Sequence, residues 1–404
     1  MERAPTDPTF TLDLTKPEPV PQQGVDRAVE LMNTGRLFRY GETAPGELSD
    51  ASLLEQRMAG MLGRKYAIGV NSCGAALFLA LKSSGVRHGD RVLVNGYTLA
   101  PVPGAIDHAG AVPVVVEVEE NLTIDLDDLE RKARESGART LLLSHMRGHI
   151  SDMDQVVQRC AELGLALIED CAHTLGASWN GKPTGTFGIA ACFSLQTFKH
   201  INSGEGGVIV TDDDDLAARA ILFSGSYMLY EQHAARPDAS VFEKHRGTTP
   251  NYSLRMTALA AALALPQLEL LTERAGRMNA SYHHLERLLA EIKGVHLIHR
   301  AAKEEFIGSS LQFRLPGLNA NQIARFVAIC QERGLGLKWF GQPRMEGFTS
   351  RPSHWEYVEG SDGAPKTEEL LSTLCDIRIP PAMTEQHCRQ CAEVISRALQ
   401  EITT

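Results

Sequence analysis

The sequence predicts an α/β fold built on a largely parallel sheet with helices on both faces, followed by a smaller α+β unit, and three observations carry that prediction. Short β-branched runs alternate with helical stretches from residue 65 to residue 224, the pattern that specifies a parallel sheet covered on both sides. The rhythm changes after Pro266. The chain has 404 residues, 43% of them apolar and 22% charged, enough for two or three units of about 100–200 residues each. Taken in order, residues 1–23 are proline-rich and read as an N-terminal arm, and helical periodicity begins with Val25, Ala28, Val29 and Met32. Strand-like runs follow at Lys65 to Val70, Arg91 to Val94, Val112 to Val118, Thr140 to Ser144 and Leu165 to Ile168, with a helix predicted over Ala75 to Ser83. Asp212 to Asp215 reads as a helix cap and first turn, where acids favour the dipole. Residues 24–266 thus form a large unit and 267–404 a small one, with strands expected at His296 to Ile298, Ser310 to Leu315 and Leu335 to Trp339 and a closing helix from Glu385 to Ile402.

Composition narrows the function. Forty basic against fifty acidic side chains leave a net charge of −10, which disfavours nucleic acid and anionic membrane as partners. Met1 to Phe10 has two prolines and two acids where a secretory signal needs a basic start and an apolar stretch. The longest small-apolar run, Ala258 to Leu265, is far short of the roughly 20 residues of a bilayer span. The eight cysteines lie mostly in apolar segments, as reduced core thiols do. Cys388 and Cys391 form one CxxC without a second pair, so they read as structural and no metal site is expected. A cytoplasmic protein acting on small molecules fits these observations.

Ligands of parallel sheets lie beyond the carboxyl ends of the strands. After the first run stands Asn71-Ser72-Cys73-Gly74-Ala75, small residues turning into a helix whose free N–H groups and dipole suit an anion. After a later one stands Glu169-Asp170-Cys171-Ala172-His173, a carboxylate at the sheet mouth with a histidine three residues on. Lys199 lies 29 residues beyond Asp170, between an apolar strand and the glycine-rich turn Gly204-Glu205-Gly206-Gly207, where partial desolvation lowers an amine's pKa. An anion cradle, a strand-end carboxylate and a lysine are what an aldehyde cofactor with a phosphate arm and a pyridine nitrogen requires. That cofactor is pyridoxal 5'-phosphate.

These residues, with Phe187-Gly188, Cys192-Phe193-Ser194 and Thr197-Phe198-Lys199, resemble the DegT/StrS sugar aminotransferases among the fold-type-I pyridoxal-phosphate enzymes, from about Val25 to the C-terminus. The resemblance implies a large domain with a mostly parallel seven-stranded sheet, a smaller C-terminal α+β domain, and a homodimer whose active sites draw on both chains. It makes Lys199 the residue holding the cofactor as a Schiff base, Asp170 the partner of the pyridinium nitrogen, and His173 a contact of the ring or its phenolic oxygen. Ser194 and the amides of Gly74 and Ala75, next to Cys73, match the phosphate contacts. A partner-chain asparagine of the family aligns with Ser253, or with Asn251 after a small loop shift. Two positions depart from the pattern. The family's ring-stacking aromatic is here Leu99, two residues after Tyr97, so that either Tyr97 reaches in or an aliphatic chain covers the ring. Arg147 stands where the family commonly has tyrosine; an arginine there suits a carboxylate or phosphate, and His149, His200 and Lys338 are further candidates for the same rim. The activity implied is transfer of an amino group from an amino acid, by resemblance glutamate or glutamine, to a keto or aldehyde acceptor such as a keto-sugar or cyclitol ketone. The alternatives are a lyase or dehydratase on the same fold, which Lys199 disfavours because the family's dehydrating members carry histidine there, and a non-catalytic cofactor-binding regulator.

Overall fold

The computed structural model describes residues 8–40, 47–346, 349–358, 360 and 363–403; the first seven residues of the expected arm lie outside them. Seven five-residue strands form the large sheet: β1 (Tyr66–Val70), β2 (Arg91–Asn95), β3 (Val112–Val116), β4 (Thr140–Ser144), β5 (Ala166–Asp170), β6 (Ala190–Ser194) and β7 (Gly207–Thr211). Their spatial order is β1-β7-β6-β5-β4-β2-β3. All neighbours run parallel except at β7, which is antiparallel to both β1 and β6. Nearly every residue of these strands is buried, as a sheet covered on both faces requires. Gly207 is fixed by close approach, since a Cβ there would sit 2.2 Å from the Ser72 carbonyl oxygen. A side chain would push β7 away from the turn that starts the helix Cys73–Ser83.

A second, antiparallel sheet follows, in the order β8 (His296–Leu297), β9 (Ser310–Arg314), β11 (Leu374–Arg378), β10 (Lys338–Trp339). Strand β11 was not expected from the sequence. Its central Asp376 is fully buried, which breaks the apolar alternation that marks a strand. The expected strand at Leu335 to Trp339 shrinks to two residues, with Gly334 at φ 83 ahead of it. Helices Leu271–Ala290 and Glu385–Thr403 pack over this sheet, and one apolar cluster runs from Leu54 and Val208 through Leu285 and Phe326 to Ile395. The two sheets therefore share a core. Asp213 caps its helix by accepting from the Leu216 N–H at 2.8 Å, while Asp212 and Asp214 pair with Arg64 and Lys65.

Candidate active site

A cavity of about 650 Å³ opens at the carboxyl ends of the central strands, between the two sheets. Its walls include Ser72, Cys73 and Gly74 after β1, Leu99 after β2, Arg147 after β4, Asp170 and His173 from β5, Ser194 from β6, and Lys199 and His200 beyond it. Strand ends converge here because every parallel strand delivers its following residue to the same edge. The arm adds Leu14, Thr15, Pro17 and Glu18 as one more wall. Glu18 anchors it through Arg274 at 3.0 Å and Arg277 at 2.9 Å.

The carboxylate of Asp170 is held from two sides. Its Oδ2 accepts from Ser144 Oγ at 2.7 Å and its Oδ1 from the Ala172 N–H at 3.1 Å. Ser144 Oγ in turn accepts from Thr98 Oγ1 at 2.8 Å, a relay from β2 through β4 to β5 that the sequence did not disclose. Behind it, Glu169 is fully buried and accepts from the N–H groups of Gly185, Phe187 and Gly188. That ties the Phe187-Gly188 turn to the strand presenting Asp170.

Lys199 Nζ lies 2.8 Å from His173 Nε2. Burial, then the positive charges of Lys199 and Arg147, hold His173 neutral by pushing its pKa well below the usual histidine value. The bond therefore runs from the amine to the ring nitrogen. Lys199 is itself pushed down to about 8, first by burial and then by Arg147, with Asp170 opposing. His200, brought to about 4 by burial, lines the cavity through a ring whose Nδ1 donates to the Leu175 carbonyl at 3.1 Å.

At the helix start, Ser72 Oγ accepts from the Ala75 N–H at 3.1 Å. The Ala75 amide expected to meet an anion is thus turned to the cap, and Cys73 and Gly74 line the cavity instead. Of the two candidates for covering a ring, Leu99 stands in the wall, whereas Tyr97 is fully buried and packs edge-on against His149 and tilted against Phe340. His149 also lies behind the wall, with Nε2 2.8 Å from Gln312 Oε1. Asn251 and Ser253 are exposed and line no part of their own chain's cavity; Asn251 Oδ1 accepts from the Ser253 N–H at 2.8 Å.

Arg147 sits in a short 3-10 turn with φ 54, a left-handed backbone that costs a non-glycine residue about 1 kcal/mol or more. Arg300 offsets this by donating to the Gly148 carbonyl at 2.6 Å and the Arg147 carbonyl at 3.5 Å. The guanidinium pairs with Asp376 at 3.2 Å. Lys338 shares the cavity, as does Arg378, a residue missed by sequence reading because its strand was missed.

A mostly parallel seven-stranded sheet with one antiparallel strand, a carboxylate ending its central strand and a lysine beyond the next define the fold-type-I pyridoxal-phosphate-dependent transferases. Within that class the chain belongs to the DegT/DnrJ/EryC1/StrS aminotransferase family, whose model matches residues 28–396. It is 32% identical over 243 residues to the spore coat polysaccharide biosynthesis protein SpsC of Bacillus subtilis, covering 58% of this chain and 62% of that one. It is 34% identical over 206 residues to the GDP-perosamine synthase of Escherichia coli O157:H7, covering 51% and 53%. With the L-glutamine:scyllo-inosose aminotransferase of Streptomyces griseus it is 31% identical over 313 residues, 76% of this chain and 69% of that one. The chain thus spans about three fifths of SpsC and about half of the GDP-perosamine synthase. Among solved structures, 3-amino-5-hydroxybenzoic acid synthase superposes with a TM-score of 0.82 at 24% identity, covering 98% of this chain and all of that one. PseC of Helicobacter pylori gives 0.82 at 16%, covering 97% of this chain and all of that one.

Proposed function

We propose that the chain is a pyridoxal-phosphate-dependent aminotransferase that moves an amino group from an amino acid donor, glutamate or glutamine, to a keto-sugar or cyclitol ketone. The observation that carries it is Lys199 Nζ, 2.8 Å from a neutral His173, in the cavity that also holds Asp170 and the Cys73–Ser83 helix start. The residues present fit that cofactor: Cys73, Gly74 and Ser194 would take the phosphate, Asp170 the ring nitrogen, Leu99 a ring face and Lys199 the aldehyde. Bound there, the cofactor supplies an electron-withdrawing ring that stabilises negative charge at the substrate carbon. Asp170, fixed by Ser144 and Ala172, keeps a proton on the ring nitrogen. Lys199, with a pKa of about 8, is neutral in about a tenth of molecules at pH 7, against well under a thousandth for an ordinary lysine. With the cofactor bound, its amine would hold the aldehyde carbon with loss of water and, once released by the donor's amine, would move a proton between the donor's α-carbon and that former aldehyde carbon. Such placed proton transfer is worth about 10²–10⁴-fold.

The test is optical. The yellow protein loses its visible band when glutamate or glutamine is added and regains it when the ketone acceptor follows; a band indifferent to every amino acid leaves a non-catalytic binder. Because the neutral amine is the attacking form, capture of cofactor by the cofactor-free protein accelerates as pH rises towards 8 and levels off above it. Growth of the visible band measured across that range checks this, and a rate independent of pH contradicts it.

We further propose a cytoplasmic homodimer in which Asn251 and Ser253 reach the partner's phosphate site, with the chain divided at 266/267. Support comes from the eight free cysteines and from the exposed Tyr227, Met228 and Tyr252 beside that segment, because grouped exposed apolar side chains mark an interaction face. Among the described residues no helix is long and apolar enough to cross a membrane. Sedimentation at micromolar concentration should give a dimer, and an active, cofactor-loaded monomer would refute the shared site.

A further inference from the structure

We propose that Gln267 positions the backbone that carries Lys199, and that the N-terminal arm holds Gln267 in place through Glu18 and Arg274, which makes the arm part of the apparatus of the active-site lysine. The inference rests on the proposed aminotransferase reading for the role of Lys199 alone. The arm precedes residues 28–396, the stretch matched by the family model.

Lys199 stands in residues 195–206, a segment between β6 and β7 that has neither helix nor strand. The segment folds back on itself, the Ser203 N–H donating to the Leu195 carbonyl at 2.8 Å and the Thr197 N–H to the Gly204 carbonyl at 3.0 Å. Ile201 is buried and the His200 ring bonds Leu175, so these two hold by their side chains. The backbone is gripped from outside by Gln267, which is 1% exposed and ends the short turn Leu265–Gln267. Its Oε1 accepts from the Asn202 N–H at 3.0 Å, and its Nε2 donates to the carbonyl of the same residue at 2.6 Å. A side chain thus supplies the paired bonds that a neighbouring strand gives elsewhere in the sheet. Nε2 also donates to the Leu263 carbonyl at 2.7 Å, and Oε1 also accepts from Arg274 Nη1 at 3.0 Å. With both donors and both lone pairs used, the amide has one orientation.

Arg274 is buried, and its Nε meets Glu18 at 3.0 Å. Glu18 belongs to residues 8–21, an irregular stretch laid against the body by buried Phe10 and Leu14 and by the Phe10 N–H, which donates to the Arg333 carbonyl at 2.8 Å. A continuous path therefore runs from Glu18 through Arg274 and Gln267 to Asn202, three residues beyond Lys199, and every member of it borders the cavity. Without Glu18, Arg274 is a buried cation lacking its carboxylate, a costly state that draws the guanidinium away from Gln267. Precision matters here, because a misplacement of about 1 Å can cost about 10²-fold in rate. An irregular segment keeps a side chain within that tolerance only when other elements lock it.

Cyanate, which carbamylates neutral amines, probes Lys199 in the cofactor-free protein by peptide mapping. In its native place Lys199 faces His173, Arg147, Asp170, Cys73 and Lys338, and its reaction should show a midpoint near its pKa of about 8. Gln267→Met keeps the bulk of the side chain and removes its amide, so the midpoint should rise by about one pH unit or more, towards the ordinary lysine range. In the cofactor-loaded protein the rate constant for discharge of the visible band at saturating donor should fall about tenfold or more, with the half-saturating donor concentration within about twofold. Glu18→Ala should move both readouts in the same direction and add nothing in the Gln267→Met background. An unchanged midpoint and rate constant in Gln267→Met, with only a smaller amplitude or a lower unfolding temperature, makes the residue structural and overturns the proposal. A change confined to the half-saturating donor concentration, the mark of a substrate contact, overturns it as well. A silent Glu18→Ala, or effects that add, removes the arm from it. If no amino acid discharges the band, the aminotransferase reading fails, and the carbamylation profile still decides whether Gln267 positions Lys199.

Discussion

Lys199→Ala should abolish turnover, by at least about 10⁴-fold, because one side chain supplies both the attacking amine and the placed base. The fold should survive. Lys199 is half-buried, its amine hydrogen-bonds His173, and removing a desolvated amine relieves a cost instead of adding one. Thermal unfolding at unchanged or slightly higher temperature, with no covalent visible band in the presence of added cofactor, is the expected pair of results. Ordinary turnover together with a retained band would remove the cofactor assignment altogether.

Asp170→Asn should separate binding from chemistry. The amide oxygen can take the place of Oδ1 and accept from the Ala172 N–H, and the amide nitrogen in the place of Oδ2 can donate to Ser144 Oγ, the two groups that now fix the carboxylate, so cofactor should be retained. What is lost is negative charge. A neutral amide cannot hold a proton on the ring nitrogen, and a charge-assisted hydrogen bond is worth about 1.5–3 kcal/mol even before its effect on the ring is counted. The turnover number should therefore fall by at least about 10²-fold with the cofactor's affinity much less affected, as stopped-flow rates of band discharge would show. An unchanged discharge rate would move the pyridinium role to another residue.

Legibility in the sequence followed a physical divide. Asp170, Lys199, Arg147 and the Ser72 turn were readable because each stands at or beyond the end of a strand that opens on an apolar run, and strand ends mark a site in parallel sheets. Thr140 to Ser144 is the same strand in sequence and structure. Arg378 and Asp376 were not readable, since the strand that carries them has a charged residue in its buried centre and only tertiary pairing with Arg147 and Gln312 makes that tolerable. The choice between Tyr97 and Leu99 depended on which of two nearby residues faces the cavity, a matter of loop direction that composition does not encode. The cap at Ser72 that occupies the Ala75 amide was hidden for the same reason.

The cavity wall extends from Leu14 to Pro381 along the chain, and this has a consequence for how the protein matures. Contacts between segments so distant in sequence form late, after loop-closure entropy has been overcome. The binding site is therefore absent from any intermediate holding the large sheet alone, and cofactor capture reports completion of the whole chain. Bound in this cavity, the cofactor of the proposed reaction would stabilise the finished state, adding about 2.7 kcal/mol at a hundredfold excess over its dissociation constant. In a cell short of that cofactor, the population of intact protein should fall before the rate per intact molecule does.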